Sequence, residues 1–184
     1  MAMHMMDIAQ NSIRAGAANI LIDFYENTVE ETLTFRVEDD GVGMDEEKIS
    51  KLTDPFYTTR ETREVGLGVP FLKMTCEQAG GCLDVFSEID KGTVIEAKYM
   101  TNNPDCLPLG DIAGYLTMLL KANPDIHFIF RYRIDKMLFK LDTEELIELE
   151  IELNQPGMTA LLKSFITGNL TDVYTNRSAK SYIC

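Results

Sequence analysis

A chain of 184 residues, 45% hydrophobic and 26% charged, is long enough for one sizeable core with a smaller appendage, and its apolar runs fall far short of the roughly 20 residues a membrane span needs. A net charge of −13 leaves no attraction for nucleic acid or an anionic lipid surface, so a polyanionic ligand would have to be gripped locally by backbone amides, a metal ion and a few cations. The start, "MAMHMMDIAQ", lacks the layout of a signal peptide, and Cys76, Cys82, Cys106 and Cys184 show no C-x-x-C spacing, so the expectation is a cytoplasmic protein with reduced thiols and neither a nucleic-acid nor a membrane partner.

Along the chain, Met6, Ala9, Ile13 and Ala17 recur at helical spacing and predict a helix over residues 5–18, with Asp7, Asn11 and Arg14 on a separate polar stripe. Alternating runs at 20–25 and 32–37, joined by "ENTVEE", predict an antiparallel hairpin whose second strand delivers Asp39 and Asp40 to the turn "GVG". "MDEEKISKL" reads as a short helix with acids in its first turn, stopped at Asp54-Pro55, and "FYTTRETREV" as a polar, mobile segment. A helix is expected from near Leu67 to Gly80-Gly81, with Pro70 tolerated beside its first turn, followed by a second hairpin from "CLDVFSE" and "TVIEAKYM". The prolines and glycine of "TNNPDCLPLGD" mark a linker, 101–110, between a first domain at 1–100 and a small α+β unit at 111–170. That unit is expected to contain a helix over 111–121, strands in "IHFIFRYRI" and "MLFKLD", and helices in "DTEELIELEIEL" and "PGMTALLKSFI". Residues 171–184 read as a polar, loosely ordered tail.

Four features carry chemistry. Asp7 and Asn11 lie one helical turn apart and can converge, a carboxylate able to act as general base and an amide oxygen able to join the ligands of Mg²⁺. A carboxylate at the strand end, Asp39, beside Gly41 and Gly43, can accept a hydrogen bond from an exocyclic amine, with Met44 as an adaptable apolar wall. "TTRETREVGLG" runs hydroxyls and arginines into Gly66-Leu67-Gly68 at a helix start, where unpaired amides and the helix dipole favour anions. Thr93, after a hairpin glycine, can point a hydroxyl inward. Each has a bland reading as solvated stripe, ordinary turn or strand threonine; their order along the chain is what combines them.

Asp-x-x-x-Asn on the first helix, Asp-x-Gly-x-Gly after a strand, a polar segment, Gly-x-Gly opening a helix and Gly-Thr on the last hairpin resemble the successive ATP-site boxes of the GHKL (histidine-kinase-like) ATPases, over about residues 4–100. The whole chain is similar to stand-alone bacterial ATP-binding proteins of that type. The resemblance implies a two-layer α/β sandwich of α+β class, the Bergerat-type ATP-binding fold, in which a mixed sheet is covered by helices and carries a small C-terminal α+β extension. It also implies ATP and Mg²⁺ as cofactors. Asp39 would bind the adenine amine with help from Thr93; Gly41, Val42, Gly43 and Met44 would line base and ribose; Asn11 would ligate Mg²⁺. Asp7 would stand where many hydrolysing members have a glutamate. Gly66, Leu67 and Gly68 would hold phosphate at the base of a lid containing Thr58, Thr59 and Arg60. Relatives carry structure before the first helix, so a further N-terminal strand is expected. Three activities stay open: an ATPase or nucleotide switch acting on an unidentified protein partner, a serine or histidine kinase acting in trans, and a nucleotide-binding module with little turnover.

Overall fold

A computed structural model of the protein describes residues 1–52, 67–151, 153 and 155–175. In chain order its elements are α1 (Ala2–Arg14), β1 (Asn19–Asn27), β2 (Thr32–Asp39), α2 (Glu46–Lys51), α3 (Gly68–Gln78), β3 (Cys82–Glu88), β4 (Gly92–Met100), α4 (Ile112–Ala122), β5 (His127–Ile134), β6 (Met137–Asp142), α5 (Thr143–Glu148) and α6 (Met158–Thr175). The strands form one mixed sheet in the order β3-β4-β2-β1-β5-β6, antiparallel throughout except for the parallel pair β1–β5. The molecule is therefore an open-sheet α+β protein, and strands from both sides of the 101–110 stretch share the sheet. No helix among the described residues is long and apolar enough to cross a membrane.

Period-2 alternation assigns the two faces of the sheet. Ile20, Ile22 and Phe24 of β1, Phe35 and Val37 of β2, Ile95, Ala97 and Tyr99 of β4, and Phe128, Phe130 and Tyr132 of β5 are buried on one side. Against them pack Met5, Ile8 and Ala9 of α1, Leu72 and Cys76 of α3, Leu116 and Leu120 of α4, and Ile166 and Leu170 of α6. Phe24 ties the sheet together, its ring 4.8 Å from Phe35 on β2 and 5.6 Å from Tyr132 on β5. The opposite face carries Asp23, Arg36, Glu96 and Arg131.

Several boundaries differ from the sequence expectation. The buried residues of α1 are Ala2, His4, Met5, Ile8, Ala9 and Ser12, while Met6 and Ile13 are only partly covered, so its core face is turned about one position from the expected one. The helix expected over "DTEELIELEIEL" ends after six residues: Glu150 takes a left-handed φ of 57°, and the Ile151 amide donates back to the Leu146 carbonyl. In compensation α6 runs on to Thr175, so residues 171–175 of the expected tail are helical; the rest of that tail, with Cys184, lies outside the described residues.

Candidate functional site

The site is built where the C-terminal end of β2 meets α1 and the β3–β4 hairpin. Asp39 ends β2 opposite Thr93 of β4, which is buried. One Asp39 oxygen, Oδ1, accepts from the Gly41 amide at 3.0 Å; the other, Oδ2, accepts from the Ser12 hydroxyl of α1 at 2.6 Å. Two donors fix the carboxylate, and each oxygen keeps acceptor capacity for a further donor. Asp40 turns the other way: its Oδ1 accepts from the amides of Ala18 and Asn19, and its Oδ2 from the Asn19 side chain. Partial burial works against the charged form, but these hydrogen bonds outweigh it and hold the Asp40 carboxyl below its ordinary pKa. Asp40 thus fastens β2 to the start of β1, whereas Asp39 faces Ser12 and the glycine turn.

The turn after Asp39 is clamped from two sides. A Cβ on Gly41 would lie 2.8 Å from Ala15 Cβ, and one on Gly43, whose φ is +64°, would lie 1.9 Å from the Glu88 carbonyl oxygen. Only glycine fits there. The Val42 amide donates to Ala15 O at 3.0 Å and its carbonyl accepts from the Asp90 amide at 2.9 Å, so Val42 contributes backbone while its side chain is exposed. The Met44 amide donates to Ser87 Oγ at 2.8 Å, and the Ser87 and Thr93 hydroxyls are 2.9 Å apart. Gly92 lets the hairpin close on the site, since a Cβ there would come within 1.8 Å of Asp39 O.

Asp7 and Asn11 are exposed on α1. The Asn11 amide oxygen accepts a long 3.3 Å contact from Arg14. Asp7 packs at the start of α3, its Cβ 3.0 Å from where a Cβ on Gly68 would stand. That start, with Leu67 as its N-cap, has neither a side-chain capping bond nor an acid in the first turn, which leaves its amide end open to an anion. Asp39, Gly41, Gly43, Met44 and Thr93 therefore share one end of the sheet, while Asp7, Leu67 and Gly68 meet where α1 and α3 touch; α1 connects the two groups through Asn11 and Ser12. Thr58, Thr59, Arg60, Gly66 and the expected lid lie outside the described residues.

Sequence reasoning missed Ser12, Ser87 and the structural duty of Asp40. A signal for Ser12 existed: a hydroxyl on the same helical face as Met5, Ile8 and Ala9 must find a partner. The donor set fits an adenine nucleotide, with an anionic acceptor at a glycine-lined strand end and an uncapped helix start beside it.

Residues 4–102 match the family model described as histidine kinase-, DNA gyrase B- and HSP90-like ATPase, and the chain belongs to that family, whose domains bind ATP. It is 45% identical over 58 residues, 32% of this chain, to Sporulation kinase E of Bacillus subtilis, and 35% identical over 108 residues, 50% of this chain, to Sensor kinase CckA of Brucella abortus. The chain spans only 8% and 11% of the lengths of those two proteins. Among solved structures, the N-terminal domain of a DNA repair protein superposes with a TM-score of 0.53 at 17% identity, covering 77% of this chain and 51% of that one, which is a likeness of fold.

Proposed function

We propose that the protein binds Mg-ATP in the cytoplasm and acts as an ATPase or nucleotide-controlled switch on a partner protein. The observation that carries this reading is the carboxylate of Asp39, held by the Ser12 hydroxyl and the Gly41 amide beside Thr93 in a chain of ATP-binding family. Asp39 and Thr93 would receive the adenine amine. Gly41, Val42, Gly43 and Met44 would border base and ribose, and the amide end of α3 at Leu67 and Gly68 would take phosphate oxygens, with Thr58, Thr59, Arg60 and Gly66 on the preceding segment. Asn11 would offer its amide oxygen to Mg²⁺. Asp7, beside that helix start, is the group to hold a proton drawn from water. When bound, the nucleotide supplies a transferable γ-phosphoryl group. The unit from Asp111 onward is then the part that presents the nucleotide state to the partner.

A kinase acting in trans is the second reading, favoured by the kinases among the similar proteins. Neither histidine of this chain suits autophosphorylation: His4 is buried in α1, and His127 in β5 is hydrogen-bonded to Asn19 and Asp142. Calorimetry with ATP and Mg²⁺ should give saturable binding that Asp39→Asn abolishes, since the change puts a neutral amide where the base amine needs an anionic acceptor; near-parental affinity in that variant would refute the site. ATP labelled at the γ-phosphate then separates the activities: free phosphate means hydrolysis, label on an added protein means transfer, and intact bound ATP means a binding module.

A further inference from the structure

The face of the sheet on which no helix packs among the described residues holds a row of six charged residues, one from each strand. The cross-strand registers align Asp84 with Glu96, Glu96 with Arg36, Arg36 with Asp23, Asp23 with Arg131, and Arg131 with Lys140. From β3 to β6 the signs run negative, negative, positive, negative, positive, positive. The middle of the sheet falls between β2 and β1, and reversing the order about that line reverses every sign. A twofold axis parallel to the strands above that line would lay β3 of one copy over β6 of another, β4 over β5, and β2 over β1. Asp84 would then face Lys140, Glu96 would face Arg131, and Arg36 would face Asp23, each pair occurring twice.

Pairing within one chain leaves part of this row unused. Arg36 bonds Glu38 at 2.7 Å and Glu96 at 3.5 Å, Arg133 bonds Asp23 at 2.7 Å, and Lys140 bonds Glu145 at 2.7 Å and Asp142 at 3.0 Å. Arg131, although partly buried, has no hydrogen bond or ion pair among the described residues, and Asp84 meets only the Cys82 thiol, at 3.9 Å. The buried second oxygen of Asp23, Oδ1, also lacks a hydrogen-bond partner. Asp23, Arg36, Glu96 and Arg131 line a depression of about 420 Å³ in the middle of the face. Solvation of an ordinary polar face explains exposed charges; it does not explain a half-sunken guanidinium with no acid of its own.

From this antisymmetry we infer that the open sheet face is a homodimer interface, with a second copy of this chain as its occupant. In the neighbouring row on one side the same axis brings Val94 over Ile129, an apolar pair, while Phe86 meets Asp142 and Glu38 meets Leu21, two pairs that add no attraction. In the row on the other side it brings Lys98 over Arg133, a like-charged meeting tempered because Arg133 is already neutralised by Asp23. Six strands about 4.8 Å apart, each presenting roughly seven residues, project about 550 Å² per copy, so the total of about 1,100 Å² lies at the low end for specific interfaces and the dimer is weak and salt-sensitive.

Sedimentation equilibrium of the intact chain tests this, at about 20 mM and about 500 mM salt, between which charge screening tightens severalfold. The expected result is a monomer–dimer equilibrium at low salt that shifts to monomer at high salt. Glu96→Arg or Arg131→Glu alone sets like charges over one another twice per dimer and weakens association at least about tenfold, whereas the two together restore it. Asp84→Lys and Lys140→Glu, both at exposed edge positions, form a second reciprocal pair should the central substitutions disturb folding, which circular dichroism reports. A parent that stays monomeric to about 1 mM at low salt, a dimer indifferent to the single reversals, or a double reversal no better than the singles overturns the proposal.

Discussion

The hydroxyl of Ser12 decides which way the Asp39 carboxylate faces, because its 2.6 Å bond to Oδ2 opposes the Gly41 amide on Oδ1. Ser12→Ala removes a charge-assisted hydrogen bond of about 1.5–3 kcal/mol while leaving the fold's core apolar, so ATP affinity should fall by about tenfold or more. Calorimetry that found less than a twofold change would remove Ser12 from the site. His4 makes a separate claim about pH. Burial, and then the nearby Met1 amino group, push its pKa from 6.5 down to about 4, and its Nδ1 has no hydrogen-bond partner. The unfolded chain therefore takes up a proton at this ring below pH 6.5 that the folded chain refuses until about pH 4, so this group's contribution to stability falls as pH drops through that window, by up to about 3 kcal/mol. In His4→Gln, melting temperature should decline less steeply between those pH values than in the parent; parallel declines would contradict the assignment.

Among the elements, the β3–β4 hairpin carries the tightest tolerance, because Gly92 sits at φ +98° with no room between its Cα and the carbonyl of Asp39. Gly92→Ala must push β4 from β2 at the site itself, and a cost above about 2 kcal/mol is expected, with loss of nucleotide response at temperatures where the fold survives. A thermal scan with and without ATP separates the two effects, and an unchanged melting temperature would show that the turn has slack. The hairpins and α3 were legible in the sequence because alternation and glycine punctuation state them locally: "CLDVFSE" and "TVIEAKYM" became β3 and β4 almost residue for residue. The spaced boxes name Asp39, Gly41, Gly43 and Thr93 together, and the structure sets these residues at one end of the sheet. What escaped were relationships set by tertiary contact. Asp39 and Asp40 are indistinguishable as adjacent acids, and only the approach of Ala18 and Asn19 assigns the second to structure. The phase of α1 slipped because Met6 and Ile13 are as apolar as Met5 and Ile8, and α5 stopped early because a glutamate, with no glycine to announce it, adopts the left-handed turn.

For the whole molecule, the aromatic contacts of Phe24 span both sides of the 101–110 stretch. Phe24→Ala should cost about 3–5 kcal/mol, a large share of an ordinary domain's stability, and should destabilise the nucleotide end and the C-terminal strands in one transition. Urea unfolding followed by both near-ultraviolet and far-ultraviolet signals reports this, and two separated transitions in the variant would mean that the halves are only loosely joined. One consequence of the parallel pair remains. Asn19 and His127 are partners 108 positions apart, so β1, paired on one edge with β2, cannot acquire its other neighbour until most of the chain has left the ribosome. Through that interval the β5-facing edge of β1 is an uncovered template flanked by Ile20, Ile22 and Phe24, and a pause in translation between β2 and β5 should send nascent chains toward aggregates or chaperones.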